Sequence, residues 1–341
     1  MSPNQILVVI NCNARAFRGS ESQIDRCTEL AASLGHAVAA TRRPADLDRA
    51  LQQALAEGTE RIAFCGGDST FSLGITACER IWQQRQQPMP TFGLVPAGTV
   101  ATIPHSLGVA GRGTPLQQLA SVLRASQFVE VPTLRVTLQN QGRETRQLAF
   151  IVGSGLVAHF FSLYDPEASS RQQDWQPSSG KGLWYSAYVI ARVFAESLWG
   201  GPFAKKVLDP LACDVSVDGR KLPWAASSLV AVSVVRDLGL GMRVTYRAGE
   251  DPFRPHVVVS SLPPSQLGPQ LGAVLAGRTI CADPRLHFDN LAGTLDLRFD
   301  HAQTRGCNVV IDGDPRHADH VSVVAGPRVR VLYAHRSPPR D

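Results

Sequence analysis

The first third of the chain alternates short apolar runs with longer stretches in which apolar residues recur every three or four positions. Residues 6–10, 62–65 and 92–95 are nearly continuous apolar runs. Such runs are typical of strands buried on both faces of a parallel sheet. Between them, the apolar spacing predicts helices that include residues 46–56 and 70–85. We therefore expect a three-layer α/β domain with a doubly wound sheet and right-handed crossovers.

The second half of the chain has a different pattern, with short β-prone stretches separated by Gly, Pro, Asn and Asp. This spacing predicts a mostly antiparallel β-sandwich. One helix is predicted at residues 183–194, and the Ser- and Gln-rich segment 165–180 is predicted to be a mobile loop. The β-prone stretches are residues 129–140, 143–153, 213–217, 228–236, 242–247, 255–261, 279–288, 293–300 and 306–311.

This change of pattern predicts two domains. At 341 residues, the chain is also longer than one domain usually is. We place the α/β nucleotide-binding domain at residues 1–128, joined by the carboxy-terminal segment 321–335. The β-sandwich domain then takes residues 129–320.

Composition narrows the class of protein. Hydrophobic residues make up 44% of the chain, which is enough for globular cores. The formal net charge is +5, without a dense Lys/Arg run, so nucleic acid is not expected as a partner. The seven cysteines are scattered without a CxxC pair, and the amino terminus has no basic region of a signal peptide. We expect a reduced, cytoplasmic protein.

The strongest chemical signal is the turn Gly66-Gly-Asp-Ser-Thr70, which follows one of the apolar runs directly. Backbone N–H groups at a strand-to-helix turn can hold a phosphate, and glycine allows its close approach. Asp68 is placed to accept a proton from an attacking hydroxyl or to hold magnesium. A glycine turn with an ordinary helix cap is the alternative.

A second glycine turn, Pro96-Ala-Gly-Thr99, ends the next apolar run about thirty residues later. The carboxyl ends of neighbouring parallel strands meet at one edge of a sheet, where open α/β folds bind nucleotides. Late in the chain, Asp312-Gly-Asp314 is an acidic turn. Asp-Gly is also the commonest signal of a simple hairpin, and this reading stays open.

Four segments together resemble the diacylglycerol kinase catalytic-domain family, which includes bacterial diacylglycerol kinases and the sphingosine and ceramide kinases. They are Asn11-Cys-Asn13, Gly66-Gly-Asp-Ser-Thr70, Val95-Pro-Ala-Gly-Thr-Val100 and Val310-Ile-Asp-Gly-Asp314. The likeness extends over nearly the whole chain.

The resemblance implies an ATP-dependent lipid kinase with its active site in the cleft between a nucleotide domain and a β-sandwich. It implies Asp68 as base or metal-linked group. Asp312 and Asp314 would bind Mg²⁺ or help to deprotonate the lipid hydroxyl. The residues implied in nucleotide binding are Asn11, Asn13, Gly66, Gly67, Ser69, Thr70, Gly98 and Thr99.

The chain departs from the family pattern at specific positions. Ser69 stands where the family has glycine, and Ala101 and Thr102 stand where many members have asparagine and aspartate. Asp314 replaces the family's glutamate. These departures keep open an alternative function, a catalytically impaired kinase-like protein that binds nucleotide or lipid.

The implied partner is a lipid or similar amphipathic alcohol such as diacylglycerol, a sphingoid base or a ceramide. A cytoplasmic enzyme with such a substrate would associate peripherally with the membrane surface, which the mild basic charge would favour. Exposed strand edges of a sandwich are compatible with a homodimer.

Overall fold

The computed structural model describes residues 5–98, 101–111, 113–164, 183–239, 241–300 and 307–333. The chain divides into two compact units. The first takes the described residues up to Val131 and those from Arg328 onward, and the second takes those from Pro132 to Pro327. The predicted loop at 165–180 lies outside the described residues. No helix in the described part of the chain is both long and apolar enough to span a bilayer.

The first unit alternates strands and helices along the chain. Its elements are β1 (Ile6–Asn11), α1 (Glu21–Ser33), β2 (Ala37–Thr41), α2 (Pro44–Ala56), β3 (Arg61–Gly66), α3 (Asp68–Gln84), β4 (Thr91–Pro96), α4 (Thr102–Ser106), α5 (Pro115–Leu123), β5 (Gln127–Val131) and β19 (Val329–Tyr333).

These strands form one sheet in the order β2-β1-β3-β4-β19-β5. All neighbours are parallel except β19 and β5, which are antiparallel. The continuous apolar runs occupy the central strands because both faces of those strands are covered. On one face, Val8 and Ile10 of β1 join a buried cluster with Ile24 of α1 and Leu119 of α5.

The opposite face brings α3 very close to the sheet. A Cβ atom on Gly74 of α3 would lie 2.6 Å from the ring of Phe64 in β3, so glycine is required there by space. The predicted three-layer α/β domain is confirmed in its class, a mixed α/β domain with a parallel sheet.

The second unit consists mainly of short strands, with five helices in its described part. Its elements are β6 (Leu134–Asn140), β7 (Arg143–Ala149), β8 (Ile151–Gly155), α6 (Leu156–Tyr164), α7 (Leu183–Ser197), α8 (Pro202–Leu208), β9 (Leu211–Val217), β10 (Arg220–Lys221), β11 (Ala226–Ser227), β12 (Leu229–Ser233), β13 (His256–Ser260), α9 (Pro264–Leu267), α10 (Leu271–Leu275), β14 (His287–Leu291), β15 (Thr294–Phe299), β16 (Val309–Ile311), β17 (Asp314–Arg316) and β18 (His320–Ala325).

Two sheets organise this unit. One has the order β10-β9-β15-β18-β6-β7, with β11 also pairing β9, and the other has the order β14-β13-β12-β8-β16-β17. Every strand pair in the described part of the unit is antiparallel. The predicted antiparallel, β-rich character of the second half is confirmed.

The structure corrects the predicted domain bounds at both ends. Residues 129–131 belong to β5 of the first sheet, and β18 pairs with β6 and β15 of the second unit. Of the segment 321–335, only β19 pairs with a strand of the first sheet. The burial pattern of β18 agrees with its place in the second unit, because buried and half-exposed residues alternate along it as in a strand of an antiparallel sheet.

Two predicted strands are also wrong. Residues 242–247 contain no strand, and residues 244–249 form turns, after Gly239 and Gly241, which both have positive φ angles. Of residues 279–288, only the last two belong to a strand, β14. Apolar residues there pack as a cluster around α8 and α9 instead, which includes Val244, Leu267 and Ile280.

Candidate functional site

The two glycine turns lie side by side at the carboxyl edge of the first sheet. Gly66 ends β3, Pro96 ends β4, and the two residues are partners in the parallel register. The Ala97 N–H donates to the Gly66 carbonyl oxygen at 2.8 Å. The predicted proximity of the turns thus follows directly from parallel pairing.

The backbones of the two turns touch. A Cβ atom on Gly98 would lie 2.7 Å from the Cα of Gly67, too close for any side chain. A Cβ on Gly66 would collide with the side chain of Thr70. None of Gly66, Gly67 and Gly98 has a positive φ angle, so backbone conformation does not require glycine there. Space requires it at Gly66 and Gly98, whereas a Cβ on Gly67 would lie 3.5 Å from the Cα of Gly98.

The amino terminus of α3 opens at this contact. Gly67 is the N-cap residue, and having no side chain it makes no cap to the helix. The first amides of a helix have no acceptor within the helix, and together with the helix dipole they attract anions. Ser69, half-buried in the first turn of α3, adds a hydroxyl group beside these amides.

The end of β1 and the loop that follows it join the same edge through Asn11 and Asn13. Asn11 Nδ2 donates to Thr70 Oγ1 at 2.9 Å, and Asn11 Oδ1 accepts from the Asn13 amide at 3.0 Å. The Asn13 side chain donates in turn to the Arg42 carbonyl oxygen at 2.9 Å. The asparagines therefore fix the loop around the α3 terminus.

Asp68 uses both carboxylate oxygens to hold the start of α4. Its Oδ2 accepts from the Thr102 amide at 2.8 Å, and its Oδ1 accepts from the Ile103 amide at 3.0 Å. Burial raises the pKa of Asp68 from 3.8 to about 6, although these amides act in the opposite direction. At neutral pH the carboxylate is therefore still mostly ionised.

Ala101 has a left-handed backbone immediately before α4, with a φ of 52°. This conformation is unfavourable for alanine and much better tolerated by asparagine. The family pattern has asparagine at this position, so the departure noted in the sequence has a conformational cost here. Sequence reasoning missed α4 itself, because the helix has only five residues and its Pro104 is not at the first helical position.

Asp312 lies in the second unit, in a two-residue hairpin turn between β16 and β17. Asp312 and Gly313 have φ angles of 48° and 80°, as expected for Asp-Gly in a tight hairpin. The side chain is only 4% exposed, and its carboxylate accepts from the amides of Phe150 and Ile151 at 2.8–3.2 Å. The local structure is therefore the simple hairpin that Asp-Gly indicated in the sequence.

Asp314 follows in the same hairpin and is half-buried. Its Oδ2 accepts from Arg316 Nη2 at 2.7 Å. Nowhere in the described ranges do three or more His, Cys, Asp or Glu side chains form a group that could hold a metal ion. A magnesium ion held by Asp314 would complete its coordination with water and substrate oxygens, as Mg²⁺ commonly does.

The structure thus brings together most of the residues predicted for nucleotide binding. The members at the edge of the first sheet are Asn11, Asn13, Gly66, Gly67, Ser69, Thr70 and Gly98, together with Asp68. Thr99 lies outside the described residues. The roles of these residues stay predictions, as do those of Asp312 and Asp314.

Solved structures similar to this chain share its fold. A diacylglycerol kinase from Bacillus anthracis str. Sterne aligns with a TM-score of 0.59 and 14% identity, covering 99% of this chain and 98% of the other. A protein from the same strain, described as a diacylglycerol kinase, aligns with a TM-score of 0.62, 14% identity and 99% coverage of both chains. At this identity the likeness concerns the fold. No curated protein matches the chain significantly.

The family comparison concerns the first unit most directly. Residues 5–136 match the model of the diacylglycerol kinase catalytic domain. The match contains both glycine turns and the asparagines after β1, which are the residues that build the edge described above. The resemblance to the diacylglycerol kinase catalytic domain that the sequence motifs indicated is therefore confirmed over residues 5–136.

Proposed function

We propose that this chain is an ATP-dependent lipid kinase that transfers the γ-phosphoryl group of ATP to a lipid hydroxyl. The acceptor class would be a diacylglycerol, a sphingoid base or a ceramide-like lipid, met at the cytoplasmic membrane surface. The observation that carries the proposal is the contact between Gly67 and Gly98 at the uncapped amino terminus of α3.

A phosphate group fits this place for steric and electrostatic reasons. The three glycines leave no Cβ atoms between the backbone and an approaching anion, and the first amides of α3 point to its terminus. ATP bound there would supply the phosphoryl group. Backbone amides of Gly66, Gly67 and Gly98, with the hydroxyls of Ser69 and Thr70, would hold its phosphates.

Asp68 is the proposed base for the lipid hydroxyl. The carboxylate has four lone pairs and accepts from two backbone amides and from the Thr102 side chain, so one lone pair remains for an incoming proton. A pKa near 6 also brings the carboxylate closer to neutral pH, where a general base works best. The same amide bonds keep the carboxylate in one orientation.

Asp312 and Asp314 remain the proposed magnesium residues. Asp314 is the better candidate for direct contact, because its side chain is more exposed than that of Asp312. Asp312 is largely committed to the amides of Phe150 and Ile151, and we propose that it shapes the hairpin that presents Asp314. Magnesium would neutralise charge on the transferred phosphoryl group.

A second candidate function is nucleotide or lipid binding without turnover. The observation that favours it is the use of both Asp68 oxygens to cap α4, which gives this carboxylate a structural role independent of catalysis. A binding protein would retain the glycine turns for the same steric reason. Only a measurement of phosphoryl transfer distinguishes a lipid kinase from such a binding protein.

The test is phosphoryl transfer from γ-labelled ATP with magnesium to a panel of diacylglycerol, monoacylglycerol, sphingosine and ceramide in mixed micelles. We expect labelling of at least one lipid by the wild type, and a loss of about 10²-fold or more in Asp68→Asn. Nucleotide binding without labelling of any lipid would favour the second candidate. Equal labelling by both proteins would reject the assigned role of Asp68.

A further inference from the structure

The corner between α7 and α8, residues 198–201, exposes two large apolar side chains in succession. Leu198 is 61% exposed and Trp199 is 69% exposed. Phe194 of α7, 38% exposed, comes four positions before Leu198, and Tyr188 is exposed on the same helix. Large apolar residues grouped on a surface, and not scattered singly, indicate an interaction site.

Hydrogen bonds from two backbone amides to Glu196 fix the backbone of this corner. The Glu196 carboxylate accepts from the Phe203 amide at 2.8 Å and so caps α8, while its carbonyl oxygen accepts from the Gly201 amide at 2.9 Å. Gly200 has a φ of 71°, which favours glycine. Leu198 and Trp199 are therefore presented on a fixed backbone, and little ordering would be needed on binding.

Basic side chains lie next to the apolar pair. The Cε atom of Lys205 lies 3.9 Å from the position that a Cβ would take on Gly200. Lys206 follows it on α8, and both lysines are exposed. Glu196 offsets little of this charge, because its carboxylate is mostly buried and is paired with Arg192 at 2.8 Å.

An exposed Leu–Trp pair beside two lysines suits a lipid bilayer better than a protein partner. Tryptophan and tyrosine favour the interface between headgroups and acyl chains, and lysines beside an apolar face favour anionic lipids. An interface with another protein usually has fewer lysines. We propose that the α7–α8 corner docks onto an anionic phospholipid bilayer, with Leu198 and Trp199 inserted and Lys205 and Lys206 on the headgroups.

This proposal deepens the proposed function, because it assigns to one surface the contact with the membrane that a lipid kinase requires. Bilayer binding needs neither ATP nor turnover. A protein that binds vesicles but transfers no phosphate would contradict only the kinase proposal. A protein that phosphorylates lipid in micelles but ignores vesicles would contradict only this one.

The test is co-sedimentation of the full chain with phosphatidylcholine–phosphatidylglycerol vesicles and with pure phosphatidylcholine vesicles. We expect the mixed vesicles to bind more strongly, with an affinity that falls as salt increases. Lys205→Gln with Lys206→Gln should weaken this binding by about fivefold per lysine. Leu198→Ser with Trp199→Ser should weaken it by about tenfold or more.

The matched control is Phe253→Ser, which removes an apolar side chain that is 68% exposed and belongs to the turn before β13. It should leave vesicle binding unchanged, and circular dichroism should show that all variants are folded. Equal binding by all variants, or no binding by the wild type, would overturn the proposal. A dimer in sedimentation that the Leu198/Trp199 variant abolishes would assign the corner to a second copy instead, and would also overturn it.

Discussion

Gly98 packs its backbone directly on that of Gly67, so that a Cβ on the former would lie 2.7 Å from the Cα of the latter. Two turns 31 positions apart are thereby joined without any side chain between them. The contact follows from the parallel pairing of β3 with β4 and leaves the amino terminus of α3 open to an anion.

The rate of lipid phosphorylation should depend on the ionisation of Asp68. Burial raises the pKa of this carboxyl to about 6, and a base must be ionised to accept a proton. We therefore expect kcat/KM to fall about tenfold per pH unit well below pH 6 and to level off above pH 7. A flat profile between pH 5 and 7 would show that another group accepts the proton.

The same shift predicts how stability depends on pH. A raised pKa means that the folded state binds the proton more tightly than the unfolded state, so Asp68 favours folding at low pH. Its contribution to the free energy of unfolding should decrease as pH rises from 3.8 to 6, by about 1–2 kcal/mol with allowance for its partial exposure. Urea titrations should show this decrease in the wild type and not in Asp68→Asn.

Ala101→Asn should stabilise the protein by about 1 kcal/mol. The left-handed backbone at this position, with φ at 52°, is strained for alanine and tolerated by asparagine. The control is Ala110→Asn, because Ala110 is also buried but has no positive φ angle. Urea denaturation should show a gain for the first variant and a loss for the second. A loss in both would mean that strain at Ala101 is negligible.

Asp312 can be tested for structural and catalytic roles separately. Asp312→Ala should lower the free energy of unfolding by about 2–3 kcal/mol, because it leaves the amides of Phe150 and Ile151 without their acceptor. Asp312→Asn retains an acceptor oxygen and tolerates the positive φ, so it should cost less while removing the charge. Urea denaturation compares the two variants.

Transfer activity then decides the catalytic role. If Asp312 contributes charge to magnesium binding, folded Asp312→Asn should need more magnesium for half-maximal transfer. An unchanged magnesium requirement would leave Asp312 with the hairpin role alone.

Parallel strands and their turns could be predicted from the sequence because they depend on local patterns. Continuous apolar runs identified β1, β3 and β4, and glycine turns at their ends had to meet once the strands paired in parallel. The antiparallel unit was predicted less well. The start of β14 depends on its pairing with β13, whose residues lie about thirty positions away in sequence. A local pattern therefore does not specify it.

The parts of the site that the sequence did not predict are tertiary hydrogen bonds. The link from Asp68 to the amides of Thr102 and Ile103 joins positions 34 and 35 residues apart, and no spacing rule specifies it. The same holds for Asp312 and Phe150, which are 162 residues apart. Residue type indicated where chemistry could occur, and only the fold showed which polar groups already had partners.

Calorimetric binding of ATP to Gly98→Ala and to its control, Gly111→Ala, shows whether the Gly67–Gly98 contact forms a nucleotide phosphate site. A Cβ on Gly111 would meet no atom closer than 3.8 Å, whereas one on Gly98 must separate the two turns. We predict wild-type affinity for Gly111→Ala and, for a folded Gly98→Ala, affinity weakened by about tenfold to a hundredfold. Equal ATP affinity in wild type, Gly98→Ala and Gly111→Ala would contradict the account.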